Sequence, residues 1–234
     1  MMKSTLILLV SATLLFFLGS PRAQSQITLQ CTAPATVDNP VASFVVEPGS
    51  ENEKELLRKA PHGAARPSTH LLVVRWRAGS RSFSDKPPYM QGAMAGFYWT
   101  YCGFSREAGA HLIQKNDPGE LFGTLVDEKT GVLLPGGFSV TFSPDQQAYM
   151  ARINNDAGVE NIKVYSRAGK EMWSRADGLV APDGQKLMAD KLSVHWDSSS
   201  NLVAEYKDAK GHQHSLTLSK TADGYWQWSQ DSAR

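Results

Sequence analysis

Residues 138–174 read FSVTFSPDQQAYMARINNDAGVENIKVYSRAGKEMWS, and this stretch decides the fold. It contains three short apolar segments, which are separated by the turn-forming clusters Ser143–Asp145, Asn154–Gly158 and Arg167–Lys170. Short apolar runs that alternate with such clusters are typical of antiparallel strands joined by hairpins. The stretch therefore predicts a β-meander.

A similar unit returns further along the chain, where residues 192–229 read LSVHWDSSSNLVAEYKDAKGHQHSLTLSKTADGYWQWS. Phe138–Phe142 aligns with Leu192–Trp196, a polar turn follows each segment, and both units end in Trp-Ser. The period of about 54 residues is in the range of propeller blades and related β arrays. The repeat predicts an all-β fold of antiparallel meanders.

Residues 122–135 (FGTLVDEKTGVLLP), followed by VTFSPD at residues 140–145, carry a resemblance to a known architecture. An acidic residue with a Thr-Gly turn ends one strand, and Ser-Pro-Asp ends a later one, which resembles the strands of β-propeller blades. The resemblance covers about residues 120–230. Four units at most fit into the chain at roughly 40–55 residues each, which leaves an incomplete propeller-like array, a β-sandwich or two packed sheets. No functional residue is transferred from this resemblance.

Residues 1–25 have the pattern of a secretory signal peptide. Lys3 supplies the positive charge, Leu6–Leu18 form the apolar run, and Ala23 and Ser25 are the small residues before a cleavage site. We expect cleavage after Ser25, with an uncleaved anchor as the alternative. No later stretch approaches the length of a membrane span, so none is expected after cleavage.

Cys31 and Cys102 are the two cysteines of the chain. Two cysteines in an exported protein most simply form one disulfide, which here would close a loop of about 70 residues. The alternative, a reactive thiol, needs a basic partner or a helix start nearby, and neither cysteine has one in sequence. The leader, the single disulfide and the lack of an Asn-x-Ser/Thr sequon predict a bacterial periplasmic location, with secretion as the alternative.

Charge excludes some partners and length limits the number of domains. Loss of the leader leaves 22 basic side chains against 23 acidic ones. A nearly neutral chain has no overall field to attract nucleic acid or a membrane surface.

About 209 residues can bury one good core or two small ones. We divide the chain into the signal peptide (1–25), an N-terminal β region with the disulfide (26–118) and a β-repeat region (119–234), the last two packed as one domain.

The N-terminal region is predicted to contain one short helix. Glu51–Ala60 follows Ser50, and Glu53 completes a capping box with that serine. Strands are expected from β-propensity, and loops from proline and polar residues. The expected strands are Val41–Val46, His70–Ala78, Ala95–Phe104, Ala110–Gln114, Glu120–Leu125 and Val132–Leu134, and the expected loops are Pro61–Thr69 and Gly79–Pro88.

Linear catalytic motifs are absent from the sequence. It contains no Gly-x-Ser-x-Gly, Ser-x-x-Lys, His-Glu-x-x-His or Cys-x-x-Cys, and no phosphate-binding glycine loop. We therefore predict no catalytic residue and no cofactor. The alternative is a hydrolase of an envelope polymer that uses dispersed carboxylates, for example Asp127 with Glu128.

His212 and His214 have the spacing that puts two imidazoles on one face of a strand. A zinc site needs at least a third ligand, for which Asp208, Glu205 and His195 are candidates. We favour the simpler interpretation, solvated histidines on an edge hairpin, and predict no metal.

Arginine supplies the first candidate partner-binding residues. Between Lys54 and Lys86 the chain has eight basic residues and few acidic ones. If Arg75, Arg77 and Arg81 share one surface, they suit the carboxylates of a protein partner or an anionic polymer. Balance by acidic residues from elsewhere in the fold is the competing interpretation.

Tryptophan supplies the second candidates. Trp226 and Trp228 are two residues apart, so both indoles lie on one face of the last strand. Such a pair can form a stacking platform for sugars or for a partner's side chains. The repeat favours a packing role instead, in register with Trp173 of the previous unit.

The sequence as a whole predicts a non-catalytic periplasmic protein that binds another exported protein. An immunity protein or an inhibitor of an exported toxin or hydrolase is the most specific form of this hypothesis. Its polar loops, Gly79–Pro88 and Asn154–Gly158, are the expected inserting segments. The alternatives are the polymer hydrolase and a carbohydrate-binding module.

Overall fold

The structure is a computed structural model that describes residues 26–31, 47–87, 96–117, 120–154, 160–174, 179–180, 186–187, 192–208, 210–222 and 226–230. The predicted signal peptide, the predicted strand Val41–Val46 and most of the predicted loop Asn154–Gly158 lie outside these residues. Among the described residues, no helix is long and apolar enough to cross a bilayer.

Within these ranges the chain forms one helix, α1 (Glu51–Lys59), and 18 strands. In chain order the strands are β1 (Thr28–Gln30), β2 (Ala65–Ser68), β3 (Leu71–Trp76), β4 (Gly79–Ser84), β5 (Tyr98–Ser105), β6 (Ala110–Asp117), β7 (Glu120–Asp127), β8 (Leu133–Pro135), β9 (Ser139–Phe142), β10 (Ala148–Asn154), β11 (Glu160–Ser166), β12 (Glu171–Ser174), β13 (Leu179–Val180), β14 (Lys186–Leu187), β15 (Ser193–Trp196), β16 (Leu202–Lys207), β17 (Gln213–Lys220) and β18 (Trp226–Gln230).

The strands form four antiparallel sheets and one small hairpin, β13–β14. The first sheet has the order β2-β3-β4, the second β5-β6-β7-β8, the third β1-β9-β10-β11-β12 and the fourth β15-β16-β17-β18. Within each sheet, strands that are consecutive in the sequence pair with each other. The exception is β1, which pairs with β9 at the edge of the third sheet. The described strands do not close into a barrel or a propeller.

The four sheets stack face to face in chain order, with a hydrophobic core between each neighbouring pair. On β6, Ile113 packs toward the first sheet and α1, whereas Leu112 packs toward the third sheet. On β10, Tyr149 shares the core of Leu112, and Met150 faces the fourth sheet. Because successive residues of a strand point to opposite faces, the two inner sheets are apolar on both sides.

The two sequence repeats are the third and fourth sheets. Residues 138–174 contain β9 to β12, and residues 192–229 contain nearly all of β15 to β18. Each unit is a four-stranded meander whose last strand carries the repeated tryptophan. The predicted all-β class, antiparallel meanders with one short helix, is confirmed.

The outer face of β17 in the fourth sheet is polar. On β17, Leu216 and Leu218 are buried against the third sheet. Ser215, Thr217 and Ser219 alternate with them and occupy the other face. A terminal unit of a repeat array needs such a polar face to stay soluble.

The helix α1 forms where the capping box predicts it. The Ser50 hydroxyl accepts a hydrogen bond from the Glu53 N–H at 3.2 Å. The Glu53 carboxylate reaches back to the Gly49 N–H at 2.6 Å, which satisfies a second free donor at the helix start. Leu57 packs into the core between the first two sheets and fixes the helix there.

The disulfide between Cys31 and Cys102 is confirmed. It joins the end of β1 to β5 across the core between the second and third sheets, where both cysteines are buried. Its formation fits an oxidising, exported location. In the chain-entropy model, a cross-link over about 70 residues stabilises the fold by roughly 4 kcal/mol.

The double variant Cys31→Ala with Cys102→Ala is expected to lower the free energy of unfolding by about 2–5 kcal/mol. Alanine leaves no unpaired polar group in the core, so the decrease in the free energy of unfolding reflects the missing cross-link and a small cavity. Urea denaturation followed by tryptophan fluorescence measures the change. Equal midpoints for the variant and the oxidised protein would contradict the prediction.

Two predicted loops contain strands instead. Pro61–Thr69 includes β2, and Gly79–Pro88 includes β4. Both are edge strands of the first sheet. Pro67 is tolerated in β2 because an edge strand can lose an N–H donor. On β4, a single apolar residue, Phe83, reaches the core and pairs with Leu72.

The predicted boundary between residues 118 and 119 falls inside the second sheet. Strands β6 and β7 lie on either side of it and pair along their whole length, from Ala110 with Asp127 to Asp117 with Glu120. The division of the chain into two regions stays a prediction.

Candidate functional site

The hairpin β3–β4 carries the three arginines that the sequence singles out. Trp76 pairs with Gly79, so Arg77 lies in the two-residue turn between the strands. Arg75 pairs with Ser80, whereas Arg81 pairs with Val74, a buried core residue. Opposed residues in an antiparallel pair point to the same side.

This register separates the arginines. Arg81 belongs to the hairpin face of Val74, and Arg75 belongs to the opposite face. All three side chains are exposed, but they do not form one strand face. The hypothesis of a shared arginine surface is therefore wrong for Arg81 with Arg75, and a role for each arginine in partner binding stays a prediction.

The tip of the hairpin packs against the turn between β7 and β8. The Trp76 indole lies so close to Gly131 that a Cβ atom on this glycine would come within 2.7 Å of the indole Nε1. The Arg77 N–H donates to the Glu128 carbonyl at 3.3 Å. The two turns therefore form one continuous surface.

Two exposed aliphatic residues follow this contact directly. Val132 is 52% exposed and Leu133 is 36% exposed, and among the described residues they are the only large hydrophobic residues classed as exposed. Together with Trp76 and Arg77 they form what we call the hairpin patch. Arginine and tryptophan dominate binding energy at protein interfaces, and exposed aliphatic groups beside them gain from being covered.

A series of hydrogen-bonded polar side chains leads from the core to Glu128, in the turn that packs against the hairpin. The Tyr101 hydroxyl lies 2.9 Å from His111 Nδ1, and His111 Nε2 lies 2.6 Å from Glu128 Oε2. The other Glu128 oxygen, Oε1, lies 2.9 Å from Nε2 of His62, a residue with φ of 56° in the α1–β2 connection. The carboxylate thus joins three segments of the chain.

Burial decides the protonation of these polar side chains. It lowers the pKa of His111, against the opposing effect of Glu128, and it raises the pKa of Tyr101 far above the usual range. The lowered pKa favours the neutral imidazole, which donates from Nε2 to the Glu128 carboxylate and accepts a hydrogen bond from the Tyr101 hydroxyl at Nδ1. Tyr101 and His111 are completely buried, so these hydrogen-bonded side chains position Glu128 and offer no accessible nucleophile.

A groove of about 800 Å³ lies between α1 and β2. A smaller cavity of about 350 Å³ adjoins it and shares two of its lining residues, Pro48 and Thr69. Both volumes are within or near the usual range of ligand sites. The larger groove is lined by Pro48, Gly49, Glu53, Lys54, Leu57, Arg58, Gly63, Ala64, Ala65, Arg66, Ser68 and Thr69.

A buried ion cluster forms the floor of both cavities. Arg66 Nε lies 2.8 Å from Glu53 Oε2, Arg66 Nη2 lies 2.9 Å from Glu53 Oε1, and Arg66 Nη1 lies 3.3 Å from Asp85 Oδ2. The side chains of Arg66, Glu53 and Asp85 are 7%, 0% and 1% exposed. The cluster ties α1, β2 and the end of the β3–β4 hairpin together.

Backbone donors complete this cluster. The Tyr101 N–H donates to Glu53 at 2.9 Å, the Trp99 N–H donates to Asp85 at 2.8 Å, and Arg66 also donates to the Trp99 carbonyl. Each carboxylate is acceptor-only when ionised, and its oxygens are occupied here. Neither acid can exchange protons with a substrate without breaking these bonds, so the arrangement suits structure and not acid–base chemistry.

Asp127 and Glu128, the example of a dispersed carboxylate pair, are also engaged. Asp127 Oδ1 accepts the Thr130 hydroxyl at 2.7 Å and shapes the β7–β8 turn. Glu128 holds His111 and His62, as described above. A catalytic role for the pair has no support in these contacts.

Trp226 and Trp228 lie on the inner face of the fourth sheet. Trp228 packs edge to face against Trp173, with ring centroids 5.6 Å apart, and Trp226 packs similarly against Trp196 at 6.3 Å. Both indoles are partly buried against the core between the third and fourth sheets. This agrees with the favoured packing interpretation, and a role in partner binding stays a prediction.

His214 lies on β17, an inner strand of the fourth sheet and not an edge strand, and His212 lies in the β16–β17 turn just before it. Both imidazoles contact Asp208 Oδ2 at 3.1 Å, and His214 also stacks on Tyr206. The hydrogen bonds, the one from His214 above all, hold the pKa of Asp208 well below its usual range. In the described part of the chain no group of three or more His, Cys, Asp or Glu side chains is arranged to hold a metal ion.

Comparison with known proteins identifies no relative, since no family model, no curated protein and no solved structure matches the chain. The fold class rests on the stacked meanders themselves, and the candidate site rests on the geometry of the hairpin patch and the groove.

Proposed function

We propose that this chain is a non-catalytic, exported binding protein of the bacterial periplasm, which acts as an inhibitor or immunity protein toward another exported protein. The hairpin patch is the observation that carries the proposal. The exposed aliphatic residues Val132 and Leu133 follow Gly131, against which Trp76 packs. The exposed Arg77 is bonded through its N–H to the Glu128 carbonyl of the same turn. The partner is expected to present a carboxylate beside an apolar side chain.

Rigidity of the patch supports this role. The hydrogen-bonded side chains under Glu128 and the contact of Trp76 with Gly131 hold both turns in place before a partner arrives. A preformed surface loses little conformational entropy on binding, which favours a tight complex. Tight, stoichiometric binding is what an inhibitor needs. The disulfide supports the oxidising location.

The variants Arg77→Glu and Val132→Asp are expected to lower affinity for the partner at least about tenfold, because each puts a negative charge where a carboxylate or an apolar group should dock. Both side chains are exposed, so the fold should persist. The measurement is a pull-down of exported proteins by the tagged wild-type protein and by each variant, read by quantitative mass spectrometry.

The matched control is Lys207→Glu, which reverses an exposed cation on a strand of the fourth sheet, away from the patch. A partner retained by the wild type and by this control, lost with both patch variants and inhibited by the wild-type protein would support the proposal. Absence of a stoichiometric partner, or equal capture by all four proteins, would overturn it.

A further inference from the structure

The groove between α1 and β2 has a charge pattern that the hairpin patch does not explain. Its lining contains the cations Lys54, Arg58 and Arg66 and one anion, Glu53. In the floor, Arg66 is held by Glu53 through two short contacts and by Asp85 through a third, so this cluster offers no free cation to a ligand. Lys54 and Arg58 are therefore the lining charges that a ligand would meet.

Both cations have partners that a ligand can replace. Lys54 pairs with Glu51, and Arg58 pairs with Glu55, on the exposed side of the helix. Neither glutamate lines the groove. Exposed ion pairs of this kind are weak, so a carboxylate within the less polar groove can compete for the same cations.

The rest of the lining is apolar or small. Pro48, Leu57, Ala64 and Ala65 supply the apolar surface. The smaller cavity continues the groove past Pro48 and includes the acidic Glu47. The groove and the smaller cavity that adjoins it thus form a site with a cationic half over α1 and an acidic end, and a peptide segment can run from one to the other.

The groove also leads toward the hairpin patch. The Arg75 guanidinium donates a hydrogen bond to the carbonyl of Gly63, which lines the groove. Arg75 is exposed and precedes Trp76 of the patch. A partner that covers the patch can therefore place a neighbouring segment in the groove.

From this arrangement we propose that the groove binds an extended acidic peptide segment, with an aspartate or glutamate at Lys54 and Arg58 and an apolar side chain over Leu57. The proposal rests on the proposed function, since it names the segment that the protein partner would insert. It assigns α1 a binding role in addition to its packing role.

Selection of a phage-displayed random 12-residue library on the exported protein tests this without the natural partner. Enriched peptides should contain an acidic residue beside an apolar one and should bind in fluorescence anisotropy. Arg58→Glu should weaken the binding of such a peptide roughly tenfold, because a repulsive charge replaces an attractive one. An enrichment without acidic residues, or none at all, would overturn the proposal.

Lys59→Glu is the matched control on the same helix. Arg58 and Lys59 are 69% and 70% exposed and both pair with Glu55, but Lys59 is not among the lining residues. It should change peptide affinity less than about twofold, as should Arg77→Glu in the patch. Equal effects of Arg58→Glu and Lys59→Glu would place the peptide elsewhere and overturn the groove site, while the pull-down with patch variants would still decide the proposed function.

Discussion

Gly137→Ala is expected to abolish cooperative folding. A Cβ atom at this position would overlap the carbonyl oxygen of Arg152 and lie 2.7 Å from its carbonyl carbon. Both obstacles are backbone atoms of β10, so no change of side-chain rotamer relieves the clash. A cost of at least about 4 kcal/mol is expected, which is a large part of the roughly 5–15 kcal/mol by which a typical domain is stable.

The clash is severe because the chain passes from one sheet to the next at this point. The Gly136 N–H donates to the Gly123 carbonyl of β7, and the Phe138 N–H donates to the Arg152 carbonyl of β10. Gly137 lies between these two bonds and must let both sheets approach. Displacing it would break the ladder on one side or open the core between the second and third sheets.

Gly211→Ala is the control for this prediction. Gly211 has φ of 87°, but nothing lies within 4 Å of a Cβ atom placed there. The free energy of unfolding of this variant should fall only by the cost of placing an alanine in the left-handed conformation, about 1–2 kcal/mol. Urea denaturation by tryptophan fluorescence should show one cooperative transition for Gly211→Ala and none for Gly137→Ala. Similar midpoints for the two variants would show that the crossover tolerates a side chain.

The antiparallel meanders could be predicted because their signal is local, whereas the order in which the sheets stack could not. Apolar and turn residues alternate within each repeat, and the alignment of Phe138–Phe142 with Leu192–Trp196 identifies equivalent strands. The aromatic run at β5 predicts a strand that is covered on both faces, and Tyr101 and Cys102 indeed pack into different cores. The helix α1 has a complete capping signal of its own.

The strands β2 and β4 could not be predicted in the same way. Each is an edge strand that needs few apolar residues, because only one side pairs and one face is covered. Serine and proline in these segments resemble a loop in sequence. Both segments become strands because they pair with β3, and the sequence pattern of each segment does not show that pairing.

The site was predicted only in part for a related reason. The basic segment indicates charge, but the pairing register decides which face each arginine occupies, as Arg75 and Arg81 demonstrate. Arg66 looks like one more surface cation in sequence, yet it is buried against Glu53 and Asp85. The sequence predicts a strand at Val132–Leu134, but the exposure of Val132 and Leu133 depends on how the neighbouring sheets cover that strand.

Glu53→Gln is expected to lower the free energy of unfolding by about 3–5 kcal/mol. The variant keeps the shape of the side chain but removes the bidentate carboxylate from the buried guanidinium of Arg66, which keeps the longer contact with Asp85 at 3.3 Å. Breaking a buried ion pair by removing one partner has this cost. In the wild-type protein, N–H groups of Gly49, Tyr101 and Arg66 donate to the two carboxylate oxygens of Glu53. Glutamine has only one acceptor oxygen, and its NH₂ group would face some of these donors, so not all of the hydrogen bonds can form.

The neighbouring acid on the same turn of α1 supplies the control. Glu51 pairs with Lys54 at the surface, where its side chain is 82% exposed, so Glu51→Gln should leave the denaturation midpoint nearly unchanged. Chemical denaturation of the two variants separates the buried role from the exposed one. A small effect of Glu53→Gln would mean that water reaches the floor of the groove and solvates Arg66. In that case the cluster would be an accessible charged site and the structural interpretation of Glu53 would be wrong.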